Sequence, residues 1–439
     1  MSEVPAATAP KKPLRTSLWV SSTYFAEGLP YVIVLNIATV FFTDMGVREA
    51  LLGFLNFFGI PWNLKFIWAP LLDLFGTKRG WMLKIQMAIT VILFVIACLA
   101  GIHGTAGSSI ILKAIAFSFV ALAFIAATND ISIDAYYLEG LTDKREQAAY
   151  TGLRITAYRI AVIYARTVLV AVAGIANWFW GFTAGAVTML AVLILHAFLL
   201  PKFEAERTGP SKTIADVGRG FVDSFVAYLT QAKPLTIILI LLFVATYKMG
   251  DGIIFSMYTP FFKRELGVTN LQYSWLSGFV AALATIAGSL LGACWIKKLG
   301  LKRAIWPITL FMNLNIWAYV LLAAVHPSAA ETSGITLIAV IHGYENIAAG
   351  LGNAALMVYL MRLCSVKFKA AHFAIGTAIM SLGSTLIGGF GGVIVEHFGY
   401  MNLFIFGFCA AIPSMLLLFF VPLHEDETKC LPNRDTSHS

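Results

Sequence analysis

Five carboxylates stand where lipid would be expected. Asp251 lies in "YKMGDGIIF" (247–255), directly after the wholly apolar "PLTIILILLFVAT". Glu27 lies in "YFAEGLPY", Asp130 and Asp134 in "ATNDISIDAYY", and Glu345 in "HGYENIAAGLGNAA". A charge at the centre of a membrane helix costs about 2.5–3.5 kcal/mol on insertion scales. Several such costs in one chain require groups that face a wet cavity or each other. Desolvation disfavours a carboxylate's charge and a neighbouring cation restores it. A group held between those two influences can take up a proton on one side of a membrane and release it on the other. The chemistry expected of Glu27, Asp251, Glu345, Asp130 and Asp134 is therefore proton coupling around a central cavity.

Cations accompany them. Lys248 precedes Asp251 by three residues, so a local ion pair is one account of both. A cavity wall is the other. Gly250 and Gly252 loosen the helix around Asp251. Gly28 and Pro30 do the same beside Glu27, where Pro30 cannot donate to the carbonyl of Ala26. Backbone left unsatisfied at membrane depth is tolerated only where it lines protein or water. Lys65, Arg159, Tyr247, Lys248, His342 and Asn346 are the candidate cargo-binding residues. Asp130 or Asp134 with Arg154 or Arg159 is the expected structural ion pair. Arg166 shares a helix face with Arg159, and Lys113 snorkels to the outer end of its helix.

These residues need apolar elements to hold them. The chain of 439 residues is 59% hydrophobic and 12% charged, with a mean hydropathy of +0.80. Soluble domains carry about 25% charged residues. About 20 apolar residues span a bilayer core as a helix. Twelve stretches qualify: 17–42, 49–72, 81–101, 107–136, 148–175, 177–199, 234–262, 271–296, 303–324, 336–361, 371–395 and 400–422. The first 16 residues form a polar tail without a cleavage pattern, so the first span is expected to remain. A polar linker, 200–233, separates two sets of six, 17–199 and 234–422, and a tail covers 423–439. In the linker Ile214, Val217, Phe221, Phe225 and Leu229 share one helical face, as in a helix lying on a membrane surface.

The net charge of +8 tempts a nucleic-acid partner. Its distribution argues for topology instead. Most Lys and Arg residues fall in the tails and the even-to-odd connections, while the opposite connections hold Arg48, Lys263 and Arg264. That bias places both termini in the cytoplasm. Five scattered cysteines form neither a disulfide framework nor a metal site. No Walker phosphate loop and no HExxH motif occurs, so no enzyme, cofactor or metal is expected, and transport would be driven by an ion gradient. The small residues of "GLGNAA" and "GGFGG" pack helices.

The halves repeat. "GTKRGW" (76–81) recurs as "GLKRAIW" (300–306), and "MGV" (45–47) as "LGV" (266–268). An offset of 224 residues carries Glu27 onto Asp251. Helix-breaking residues at matching places in two halves point to a transporter's binding site.

Twelve spans in two halves, with "LLDLFGTKRG" between the second and third, resemble the major facilitator superfamily. "FAEGLP", "KFIWAPLLD", "KRGW", "ATNDISIDAYY", "YRIA", "YKMGDG" and "ENIAAGLGNAALMVYLMRLC" more narrowly resemble the AmpG-type muropeptide permeases. The resemblance implies an all-α membrane protein of two pseudo-symmetric six-helix bundles. The first, fourth, seventh and tenth spans would line the cavity. It implies a monomer in a bacterial inner membrane that imports anhydromuropeptides with protons by alternating access. An iron–siderophore or an acyl-CoA-like anion is the alternative cargo, and a non-transporting membrane sensor the alternative of another class. The superfamily's loop motif makes Asp73, Lys78 and Arg79 the gate, with Asp73 approaching the start of the eleventh helix after Lys369. Lys297 occupies the repeat position of Asp73.

Overall fold

Apolar runs of this length form helices because lipid offers the backbone no hydrogen bonds. The computed structural model describes residues 13–69, 72, 76–203, 214–365 and 369–423. Twelve of its helices are long and apolar enough to cross a membrane: Leu14–Asp44, Glu49–Ile67, Lys78–Ala106, Ser109–Gly140, Arg145–Ile175, Trp178–Leu199, Pro234–Glu265, Asn270–Leu299, Leu301–Val325, Thr332–Leu363, Ala371–Gly389 and Gly391–Leu417. They are spans 1 to 12 in that order. No strand occurs among the described residues. Ile110, Phe117 and Phe198 point outward and are at least 75% exposed, which suits lipid and not water.

The helix ends follow local chemistry. Thr77 caps span 3 by accepting from the Gly80 amide, and Gly107 ends that span at φ 61°. Asn177 caps span 6 through the Trp180 amide. Thr269 and Gln272 form a capping box at the start of span 8. The last two spans divide earlier than their apolar pattern suggests. A short interruption at Phe390 separates them, and the backbone is again non-helical at Gly399 (φ 78°, ψ 171°), between the two stretches expected from sequence.

Contacts sort the chain into two units. Among the described residues, unit 1 gathers 13–34 and 67–203. Asn129 of span 4 donates to the Ala26 carbonyl of span 1 at 3.0 Å, and the buried pair His196–Gln86 joins spans 6 and 3 at 2.8 Å. Unit 2 gathers 35–66 and 214–423. Its core includes Phe243, Tyr247, Ile308, Met312, Leu356 and Tyr359. The end of span 1 and most of span 2 thus pack with unit 2, although in sequence they belong to the first half.

Within the linker a helix runs over Ile214–Thr230. Tyr228 and Ser224 are its protein-facing residues, and the Tyr228 ring meets His372 edge-on with centroids 5.2 Å apart. Burial pushes the Tyr228 hydroxyl up to about 12, so it docks neutral. Phe225 and Val226 on the same helix remain exposed.

Candidate functional site: buried charges of spans 7 and 10

Span 7 is not one helix. Pro234 starts a regular segment that ends at Thr246, Tyr247 and Lys248 turn, and a second segment runs Met249–Pro260. The break puts Asp251 in the first turn of the second segment. There the free amides and the helix dipole favour an anion. The interruption falls before the glycines, not at them. A Cβ on Gly250 would stand 2.7 Å from Ile316 Cδ1, and one on Gly252 2.9 Å from the Ser384 carbonyl. These glycines admit close packing beside the break.

Asp251 is 2% exposed. Lys248 Nζ lies 2.9 Å from its Oδ2 and also donates to Asn353 Oδ1 at 2.9 Å. Asp251 Oδ1 has no hydrogen-bond partner among the described residues. The local pair expected from the spacing therefore exists, and it sits at the break. Glu345 of span 10 is completely buried. Asn315 of span 9 donates to its Oε2, while Oε1 has no partner among the described residues. Asp251 and Lys248 are both within electrostatic reach of Glu345.

Polar contacts extend outward along span 10. Tyr319 OH meets His342 Nδ1 at 2.8 Å, and the His342 ring stacks on Tyr258 at 5.2 Å. Asn346 donates to the His342 carbonyl at 2.8 Å and accepts from Thr285 at 3.1 Å. The Tyr258 hydroxyl lies 2.9 Å from that of Tyr273. Tyr247 stands apart from this group: it is fully buried in the core, with Thr309 donating to its hydroxyl at 3.3 Å. Lys65 is half-buried in the 3-10 turn Lys65–Ile67.

The unit 1 candidates behave differently. Glu27 is half-buried within the unbroken segment Pro13–Val32. The irregularity that Pro30 brings comes later, as a π-turn at Ile33–Ile37. Asp130 is 6% exposed. Asp134 accepts from Tyr24 OH at 2.8 Å and from Arg154 at 3.1 Å, and the Arg154 guanidinium lies 4.4 Å from the Tyr24 ring centroid. Of the pairings left open by sequence, Asp134–Arg154 is formed. Arg159 is exposed, and Arg166 lies in a π-turn, Ala165–Leu169.

Of the gate residues, Asp73 lies outside the described residues. Lys78 donates to the Leu72 carbonyl at 2.7 Å. Arg79 donates to the carbonyls of Ala197 and Leu200 at 2.6 and 3.2 Å, capping the end of span 6. A cation is favoured there by the helix dipole. Arg79→Ala should cost about 1–2 kcal/mol in stability, read as a lower Tm of the detergent-purified protein. A loss of uptake at unchanged Tm would instead mark Arg79 as a gate.

Sequence reasoning does not single out Asn315, Tyr319 or Tyr258. The signal for Asn315 was present in "FMNLNIW", a polar side chain in an apolar run. Its partner was not, because Glu345 is thirty residues away on another span.

The sequence pattern of the Major Facilitator Superfamily matches residues 20–348 and 240–436. The anhydromuropeptide permease of Escherichia coli strain K12 is 28% identical over 402 residues, 90% of this chain and 77% of that protein. A putative transporter AmpG 4 of Rickettsia felis is 23% identical, covering 90% of this chain and 94% of its own. Among solved structures, a POT family transporter in complex with a thioalcohol-conjugated peptide superimposes with a TM-score of 0.69 at 13% identity. It covers 92% of this chain and 96% of the other. These relatives are permeases and transporters, not enzymes.

Proposed function

Because the chain belongs to the major facilitator superfamily, and is similar to AmpG-type permeases along nine-tenths of its length, we propose that it imports anhydromuropeptides or closely related sugar-peptides together with protons. The membrane is a bacterial inner membrane. The Lys and Arg bias supports cytoplasmic termini, and a monomer is sufficient for the mechanism.

The observation that carries this is the charge count of the buried group. Asp251 and Glu345 supply two carboxylates and Lys248 one ammonium, all at membrane depth. One proton neutralises the set. Asp251 already has a cation, whereas Glu345 has only the Asn315 amide and an unused oxygen. Glu345 is therefore the proton carrier, and Asp251 holds Lys248 until an anionic cargo competes for it. A buried charge left uncompensated is costly, so the site takes up its proton before it is occluded. A sensor has no need of a group that must be neutralised on each cycle.

The test is accumulation of labelled anhydromuropeptide by vesicles under an imposed pH gradient. Accumulation that a protonophore abolishes is expected. Binding without accumulation would favour a sensor. Displacement of the label by an iron–siderophore or acyl-CoA, and not by unlabelled muropeptide, would reassign the cargo.

A further inference from the structure

Three carboxylates line one cavity of unit 2. Its volume is about 370 Å³, and Glu49, Glu265 and Glu396 surround it together with His326 and Tyr400. Small organic ligands occupy cavities of about 300–1,000 Å³. Glu265 ends span 7, His326 follows span 9, Glu49 begins span 2, and Glu396 and Tyr400 flank Gly399. Each place is a passage from an odd-numbered span to an even-numbered one, so the lining lies at one face of the membrane. The side chains of His326 and Glu265 are 51% and 43% exposed, so that face reaches them.

The lining holds one carboxylate more than its fixed cations balance. Arg264 lies 2.6 Å from Glu49, and Arg48 pairs with Glu396, which also accepts from the Ala50 amide at 3.3 Å. Lys263 is committed to Asp44 at 2.9 Å. The ion-pair partner of Glu265 among the described residues is His326, an imidazole whose Nε2 stands 3.1 Å from Oε2. Tyr400 gives a second, independent sign of a ligand. It is 8% exposed, and its hydroxyl has no hydrogen-bond partner among the described residues. That hydroxyl is within electrostatic reach of Glu49 and Glu265, so it is directed to the carboxylates of the cavity. A buried polar group left unpaired is costly. The Phe261 ring packs on the Tyr400 ring with centroids 5.2 Å apart, and Phe261, Val395 and Met401 give the cavity apolar walls.

We propose that this cavity binds a primary ammonium group carried on a short organic chain. The ammonium balances the surplus carboxylate and brings three N–H donors, for which Glu265 and the Tyr400 oxygen have acceptor capacity left. The apolar walls take the chain, and aromatic faces favour a cation beside them. A metal ion fits less well. Among the described residues no three His, Cys, Asp or Glu side chains come together to hold one, and the cavity is far larger than an ion. An anion would meet three carboxylates. Two sources offer the group: a free amine in the surrounding medium, or an amino group on the peptide of the cargo. Only the second rests on the proposed import of sugar-peptides; the site itself does not.

The experiment titrates cadaverine into full-length protein in detergent, followed by calorimetry, with pentanediol as an uncharged chain of the same length. Saturable binding of cadaverine, and not of pentanediol, is expected. Glu265→Gln should weaken it about tenfold or more, the size expected of one hydrogen bond to a charged group. Tyr400→Phe should weaken it as well while keeping the ring on Phe261. His326→Gly suits the φ of 49° at that position and releases Glu265 from its present partner. It should bind cadaverine more tightly, a gain that misfolding cannot produce. No binding of cadaverine, equal binding of pentanediol, or an affinity unchanged in both Glu265→Gln and Tyr400→Phe overturns the site. Uptake then identifies the source. A KM that rises when the peptide amine of anhydromuropeptide is acetylated, with the difference lost in Glu265→Gln, assigns the ammonium to the cargo. Equal KM values uphold the site and assign it to a free amine. Failure of all muropeptide uptake would overturn the proposed cargo and leave the cadaverine result standing.

Discussion

Glu345→Gln protein is expected to fold, to exchange labelled for unlabelled cargo, and to fail to concentrate it. The substitution keeps shape and an oxygen for the Asn315 amide, so the contact at Oε2 survives. It removes the proton and nothing else. Exchange at equal pH needs only cargo to enter and leave, whereas accumulation needs the proton to leave as well. Gradient-driven uptake should therefore fall to the level reached with a protonophore, and the pH dependence of exchange should flatten. Asp251→Asn behaves differently. It strips Lys248 of its counter-charge in a site 13% exposed on the cation's side, at a cost of about 3–5 kcal/mol. Folded yield should drop with it, and Lys248→Met in the same chain should recover the yield. Uptake and yield measured together decide between the two carboxylates. If Glu345→Gln concentrates cargo normally, Glu345 is not the carrier.

Gly288→Val should abolish folded protein. A Cβ at this position would overlap the Ile347 carbonyl oxygen, and one at Gly350 would overlap that of Thr285. Spans 8 and 10 thus touch backbone to backbone, with Ser289 donating to the Gly350 carbonyl at 3.3 Å. A backbone oxygen inside a helix cannot rotate away. Small residues at such a crossing are how membrane helices come close without a hydrophobic drive. Overpacking a built core typically costs about 1–3 kcal/mol and more where the backbone blocks relief. Gly104→Val is the control, since nothing lies within 4 Å of a Cβ there. Monodisperse yield from size-exclusion chromatography should collapse for the first and hold for the second. Equal yields would show that the two spans can separate without loss.

The spans were legible because bilayer thickness and backbone hydrogen bonding leave a long apolar run little choice. The buried charges were legible for the related reason that a charge in such a run is expensive. Lys248 and Asp251 could be paired from their spacing alone, since three residues make one helical turn. Glu345 and Asn315 could not, because their contact depends on how two spans pack. The same limit applies to Asp134, which had two possible cations and took Arg154, and to Tyr247, whose hydroxyl hid that its ring belongs to the core. The glycines beside Asp251 marked a break in the sequence, yet the helix parts at Tyr247 and Lys248. There tertiary packing outweighs propensity. Nothing local showed that residues 35–66 would side with the second half, since the cations that hold them are more than 200 positions away.

If Glu345 carries the proton, the surplus carboxylate also answers to voltage. An empty site with Lys248, Asp251 and an ionised Glu345 carries one negative charge. In a cell whose interior is negative, that charge is pushed outward, with about 2.3 kcal/mol per 100 mV for a full crossing. The potential then returns the unloaded carrier to the face where protons are plentiful, whereas the protonated site is neutral, so the electrical part of the proton-motive force acts on the return step.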